Sequence, residues 1–186
     1  MKPLLPPWRP VLDQPTGDAD LTWAYPWPAG ERLAADLPAL GPWAGVRSAE
    51  LGCGRGHCGL TLLLLGASSC TFCDGSPEPL GYVQSALALN QLHHRGRTVQ
   101  HLWGTAVPNG PYDVVLGADI LYRPAYHLAL LTSIAGALAA NGRALLSDPR
   151  QELEPELQQY ATDLGLQWRQ ERRPGEYTLV TLTRVT

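Results

Sequence analysis

At 186 residues, with a net charge of -3, the chain is sized for one domain that buries roughly 70% of the surface its unfolded form exposes. Apolar residues make up 45% and charged residues 17%, which excludes a disordered chain, and no apolar run reaches the roughly 18 residues that a membrane span requires. The balance of charge leaves no basic stripe for nucleic acid: Arg169, Arg172 and Arg173 form a local cluster that reads as a solvated strand and turn.

The first 28 residues form an arm rich in proline, predicted to be mostly irregular. The arm lacks the charged-then-apolar order of a secretory signal, so a cytoplasmic location is expected. Trp8, Trp23, Tyr25 and Trp27 carry too much apolar surface to leave in water. The arm is therefore expected to pack on the domain or over its ligand, with Trp27 against that ligand. A short helix follows over 29–40, with Leu33, Leu37 and Leu40 on one side.

Residues 46–60, VRSAELGCGRGHCGL, read as strand, tight turn and helix, and the rest of the chain is organised around them. Gly52, Gly54, Gly56 and Gly59 follow a short apolar run. Glycine tolerates positive φ and lets backbone approach a ligand closely, so the cluster marks a cradle. Two frames compete. Gly54, Gly56 and Gly59 make a G-x-G-x-x-G string of the kind that binds a dinucleotide pyrophosphate, but the apolar run stops at Leu51, too early for that frame. The frame Glu50-x-Gly52-x-Gly54-x-Gly56 fits the strand end better. It also sets a carboxylate beside the ligand, which repels pyrophosphate and suits a cationic amino group such as that of S-adenosylmethionine. A turn that serves only helix–strand packing is the remaining alternative.

The helix after the loop is predicted to run to about residue 65 and a second strand over 69–74, ending in Asp74. Asp74 stands where nucleotide sites of α/β sheets place an acid on the ribose, although a helix-capping role is also open because Pro77 follows. Cys70 and Cys73, spaced C-x-x-C in this strand, should point to opposite faces, which argues for buried thiols over a metal or redox pair. A helix over 77–92 leads to His93, His94 and Arg95, read as a solvated turn. A third strand, 98–102, runs into Trp103, which suits either the core or the face of an adenine. The fourth strand, 112–119, ends in Asp119, Ile120, Leu121 and Tyr122. A helix over 126–140 is expected to stop at Asn141-Gly142. A fifth strand, 143–147, ends in Asp148-Pro149-Arg150, and a helix over 153–164 precedes a hairpin of strands 166–171 and 177–183, turning at Pro174-Gly175. The order predicts one α/β domain with helices on both faces of the sheet and no internal repeat. Glu50, Asp74, Trp103, Asp119 with Tyr122, and Asp148 with Arg150 all fall just past strand ends, the rim on which ligands of this architecture collect.

The pattern AELGCGRGHCGL, the acid in TFCDGS and the closing hairpin resemble the class I, seven-stranded S-adenosylmethionine-dependent methyltransferases, over most of the chain. Within them, DILY (119–122) resembles the D-x-x-Y motif of the protein-lysine methyltransferase branch. WAYPWPAG (23–30) and SDPR (147–150) are most similar to the enzymes that methylate the β-subunit of electron-transfer flavoprotein. The resemblance implies a Rossmann-like doubly wound sheet of strand order 3-2-1-4-5-7-6 with the last strand antiparallel. It also implies that Glu50, Gly52, Gly54 and Gly56 hold the methionine part of the cofactor, Asp74 the ribose, and Trp103 the adenine. Asp119 and Tyr122 would form the mouth of a target-amine pocket, Asp148 and Arg150 would meet the substrate, and no metal would take part. A lysine side chain of a protein is the implied acceptor. A small-molecule amine is the alternative within enzymes, and a non-catalytic nucleotide-binding module the alternative outside them.

Overall fold

The structure, a computed structural model, describes residues 22–185. Its sheet has seven strands: β1 (Arg47–Leu51), β2 (Ser69–Asp74), β3 (Gly96–Gln100), β4 (Tyr112–Ala118), β5 (Leu138–Asp148), β6 (Leu166–Arg173) and β7 (Tyr177–Arg184). They lie in the order β3-β2-β1-β4-β5-β7-β6, and β7 runs antiparallel to both of its neighbours. The predicted topology is thus the observed one. β1 sits at the centre between β2 and β4, so its carboxyl end, and the glycine loop that follows, open at the middle of the rim.

Alternation along the strands feeds two cores. One face packs Phe72, Leu116 and Leu145 under α1 (Pro28–Leu40), α2 (His57–Leu64) and α3 (Pro77–Leu89). The other packs Leu51, Val115 and Leu146 under α4 (His127–Ala137) and α5 (Glu156–Asp163). Cys70 lies in the first core and Cys73 in the second, the opposite facing that a spacing of three in a strand demands. All four cysteines are free and buried, and burial pushes each thiol up, away from the reactive thiolate.

Several boundaries differ from expectation, among them those of β3, α3, α4, β5, α5 and β6. β3 starts and ends two residues earlier than predicted, because its ladder with β2 pairs Cys70 with Gly96 and Asp74 with Gln100. α4 ends at Ala137, and Asn141-Gly142, read as a helix stop, lies inside β5. There the β4–β5 register slips between Tyr112 and Val114, and a Cβ on Gly142 would stand 2.7 Å from the Tyr112 carbonyl oxygen. That glycine answers a strand passing close by, not a helix end. Among the described residues no helix is long and apolar enough to cross a membrane.

Candidate active site

The glycine loop is built around three alternate left-handed residues, Gly52 (φ 57), Gly54 (φ 46) and Gly56 (φ 73). Each of these angles is open to glycine and costly for a side chain. The loop is pinned from both sides. Asp74 Oδ2 accepts the Gly54 N–H at 3.0 Å and Asp74 Oδ1 accepts the Ser76 N–H at 3.1 Å, so the acid at the end of β2 braces the loop and the start of α3 together. Its carboxyl is nevertheless raised above the ordinary range, by burial first, against the pull of those amides.

Glu50 lies wholly within the protein behind the loop. Its two oxygens accept the N–H groups of Gly59 at 2.8 Å and Cys58 at 3.3 Å, in the first turn of α2. Burial pushes this carboxyl from its ordinary 4.5 up to about 8, with the two amides opposing in part. The folded state therefore holds a proton that the unfolded chain releases above 4.5, and stability falls as pH rises through the window from about 4.5 to about 8. Glu50→Gln is expected to flatten that slope in denaturant titrations at several pH values; an unchanged slope would assign the dependence elsewhere.

Asp119 caps α1 through Gly30, 89 residues before it. It takes the left-handed conformation (φ 55), donates its own N–H to the Ser147 carbonyl, and accepts the Gly30 N–H on Oδ2 at 3.1 Å, in the first turn of α1. Burial lifts its carboxyl to about 6, and Asp148 nearby adds to the rise. Tyr122, three residues on, is 59% exposed, with the Arg123 guanidinium 5.3 Å from its ring centre. The half-buried Trp103 lies against the backbone of Gly52 and meets Tyr126 edge-on, the ring centres 6.1 Å apart.

The arm reaches the loop through Trp23. A Cβ on Gly54 would stand 3.0 Å from the Trp23 carbonyl oxygen, and the Trp23 ring meets Tyr82, whose hydroxyl accepts two N–H bonds from Arg55. The Trp23 indole N–H is buried there with no partner among the described residues. Tyr25 and Trp27 pack on each other and remain 56% and 45% exposed. Trp8 lies outside the described residues. Asp148 and Arg150 form a bidentate pair at 2.8 and 2.9 Å; the guanidinium also reaches Glu154 and the Leu121 carbonyl, so it ties the end of β5 to the loop after β4. Sequence reading missed Trp23 and Gly30 as parts of the site. Trp23 carried only an arm-wide signal, and the Gly30 contact is a tertiary one with no local mark.

Beside the loop stands the Asp74 carboxyl, which accepts the Gly54 N–H, and Arg55, a cation of the loop itself, is turned to Tyr82. Such a setting disfavours a pyrophosphate and fits a sulfonium with an amino group. A family model described as a methyltransferase domain matches residues 29–184. The chain belongs to the methyltransferase-domain family. Among relatives of this methyltransferase domain, a protein N-lysine methyltransferase, METTL21A of Danio rerio, is 35% identical over 109 residues, covering 55% of this chain and 49% of that protein. A ribosomal protein L11 methyltransferase of Teredinibacter turnerae is 34% identical over 121 residues, 65% of this chain and 36% of that protein. The domain thus spans about half the length of the first relative and about a third of the second. Among solved structures, a TehB-like S-adenosylmethionine-dependent methyltransferase from Corynebacterium glutamicum superposes with a TM-score of 0.68 at 20% identity, covering 88% of this chain and 92% of that one. The fold is that of the S-adenosylmethionine-dependent methyltransferases, and that molecule is the fold's cofactor.

Proposed function

We propose that this domain transfers a methyl group from S-adenosylmethionine to the side-chain amine of a protein lysine. The observation that carries the reading is the form of the rim after β4: a carboxyl, Asp119, is followed three residues on by a tyrosine, Tyr122, that is 59% exposed. An open acid-and-aromatic mouth suits a side chain presented by a large partner, whereas a small free amine is better served by an enclosing lid. The two relatives, one named a protein N-lysine methyltransferase and one a ribosomal protein L11 methyltransferase, point the same way. The motifs shared with the electron-transfer flavoprotein branch make that β-subunit the first acceptor to try.

Bound at the loop, the cofactor supplies an electrophilic sulfonium methyl. In the proposed site Gly52, Gly54 and Gly56 leave room for its methionine part, Glu50 shapes the loop from behind, and Asp74 takes the ribose. The unpaired Trp23 N–H offers a donor to an acceptor oxygen, and Trp103 flanks the adenine. Trp27, at the start of α1, would guard the entrance. A lysine must arrive neutral, which at pH 7 costs roughly 5 kcal/mol from a pKa near 10.4. The ring of Tyr122 strips water from the amine and so favours its neutral form, while Asp119 aims the nitrogen. Asp148 and Arg150 act at one remove, by holding the backbone of Leu121.

Incubation with the cofactor and an extract of source cells, split by size, tests this reading through release of S-adenosylhomocysteine. Turnover should follow the macromolecular fraction. Turnover with the small-molecule filtrate alone would favour a free amine, and cofactor binding with neither fraction turned over would favour a non-catalytic module.

A further inference from the structure

The opposite ends of the same strands carry a second charged recess. A cavity of about 270 Å³ opens at the amino ends of β1, β2 and β4, lined by Arg47, Ser69, Thr71, Arg97, Asn109 and Tyr112. One residue holds both arginines. Asn109, itself left-handed (φ 66), accepts Arg47 Nη2 on its carbonyl at 2.7 Å and Arg97 Nη1 on its side-chain oxygen at 3.1 Å. Neither guanidinium forms an ion pair among the described residues. Asp113, the acid nearest in the bonding network, is engaged by the backbone N–H of Arg47 at 2.8 Å.

A guanidinium presents five N–H groups in a planar fork, and only one on each arginine is used here. The recess wall adds hydroxyls, those of Ser69 and Thr71, with the Tyr112 hydroxyl turned to the Pro108 carbonyl. A third arginine, Arg95, lies at the same end of β3, anchored at 3.1 Å to the Ala67 carbonyl. Arg95 does not line the recess, so the cations there are Arg47 and Arg97; in a chain of net charge -3, that pair on one polar recess is a local feature, not an overall bias. Phosphate oxygens match paired guanidinium forks. The volume lies just under the roughly 300–1,000 Å³ of ordinary small-molecule sites, which suits an anion of pyrophosphate size and excludes a whole dinucleotide.

We propose that this recess, at the end of the sheet away from the glycine loop, binds a small phosphorylated anion held between Arg47 and Arg97. The assignment does not depend on the methyl-transfer reading. It is tested by titrating pyrophosphate into the full chain and following thermal unfolding, with and without saturating S-adenosylhomocysteine and against sodium chloride of equal ionic strength. The expected result is a saturable rise in Tm that persists with the homocysteine bound. Arg97→Gln, at an exposed position whose guanidinium bonds only Asn109 among the described residues, should weaken apparent affinity about tenfold or more. Arg169→Gln, on the edge strand where the native side chain is 79% exposed, should leave it unchanged. A rise matched by sodium chloride, retained in Arg97→Gln, lost equally in Arg169→Gln, or abolished by S-adenosylhomocysteine would overturn the proposal, as would no rise at all.

Discussion

Gly59→Ala is expected to lower the unfolding free energy by about 2–3 kcal/mol, although alanine is the better helix former by about 1 kcal/mol. The two effects oppose each other, and packing decides. A Cβ at this position in α2 would stand 2.5 Å from Phe72 Cε1, 2.7 Å from Cys70 Sγ and 2.7 Å from Glu50 Oε2. All three neighbours are buried, so none can swing into solvent. The added methyl also pushes against the Glu50 oxygen that accepts the Gly59 N–H, and so loosens the clasp between β1 and α2 on which the glycine loop rests. Urea titration with an unchanged slope reads the loss directly. A loss below about 0.5 kcal/mol would mean that the helix shifts freely and that the clasp is not rigid.

Asp119→Asn should reduce methyl transfer about a hundredfold while cofactor affinity stays within a few-fold. Asparagine tolerates the left-handed backbone and keeps an oxygen for the Gly30 N–H, so the cap on α1 survives and only the charge is lost. The substitution therefore separates two roles that alanine would confound. Because burial holds this carboxyl near 6, the wild-type rate should also fall as the pH drops through about 6, in addition to any loss from protonation of the amine. The Asn variant should lack that inflection. Turnover within about threefold of wild type would reduce Asp119 to a helix cap.

Much of the architecture was legible because its signals are local. Strand alternation, the glycine run after Leu51, Pro28 opening α1 and the left-handed Gly175 at the final hairpin each declare themselves within a few residues. Asn141-Gly142 misled because the same dipeptide that stops a helix also serves where another strand crowds the backbone, and the crowding carbonyl belongs to Tyr112. At the rim, sequence gave positions but not orientation. Nothing near Glu50 signals that its oxygens turn to α2, nor near Arg150 that its guanidinium is consumed by Asp148, Glu154 and Leu121. The Asp119–Gly30 contact joins residues 89 apart and follows only from the sheet order that brings the end of β4 under α1.

The decisive measurement is the atom that receives the methyl group. The acceptor protein found in the macromolecular fraction would be digested after reaction with methyl-labelled S-adenosylmethionine and its peptides sequenced by mass spectrometry. The expected result is a methyl increment on a lysine side-chain nitrogen, reduced about a hundredfold when Asp119→Asn replaces the wild-type enzyme. A label on oxygen, on a carboxylate or on another residue type would contradict it.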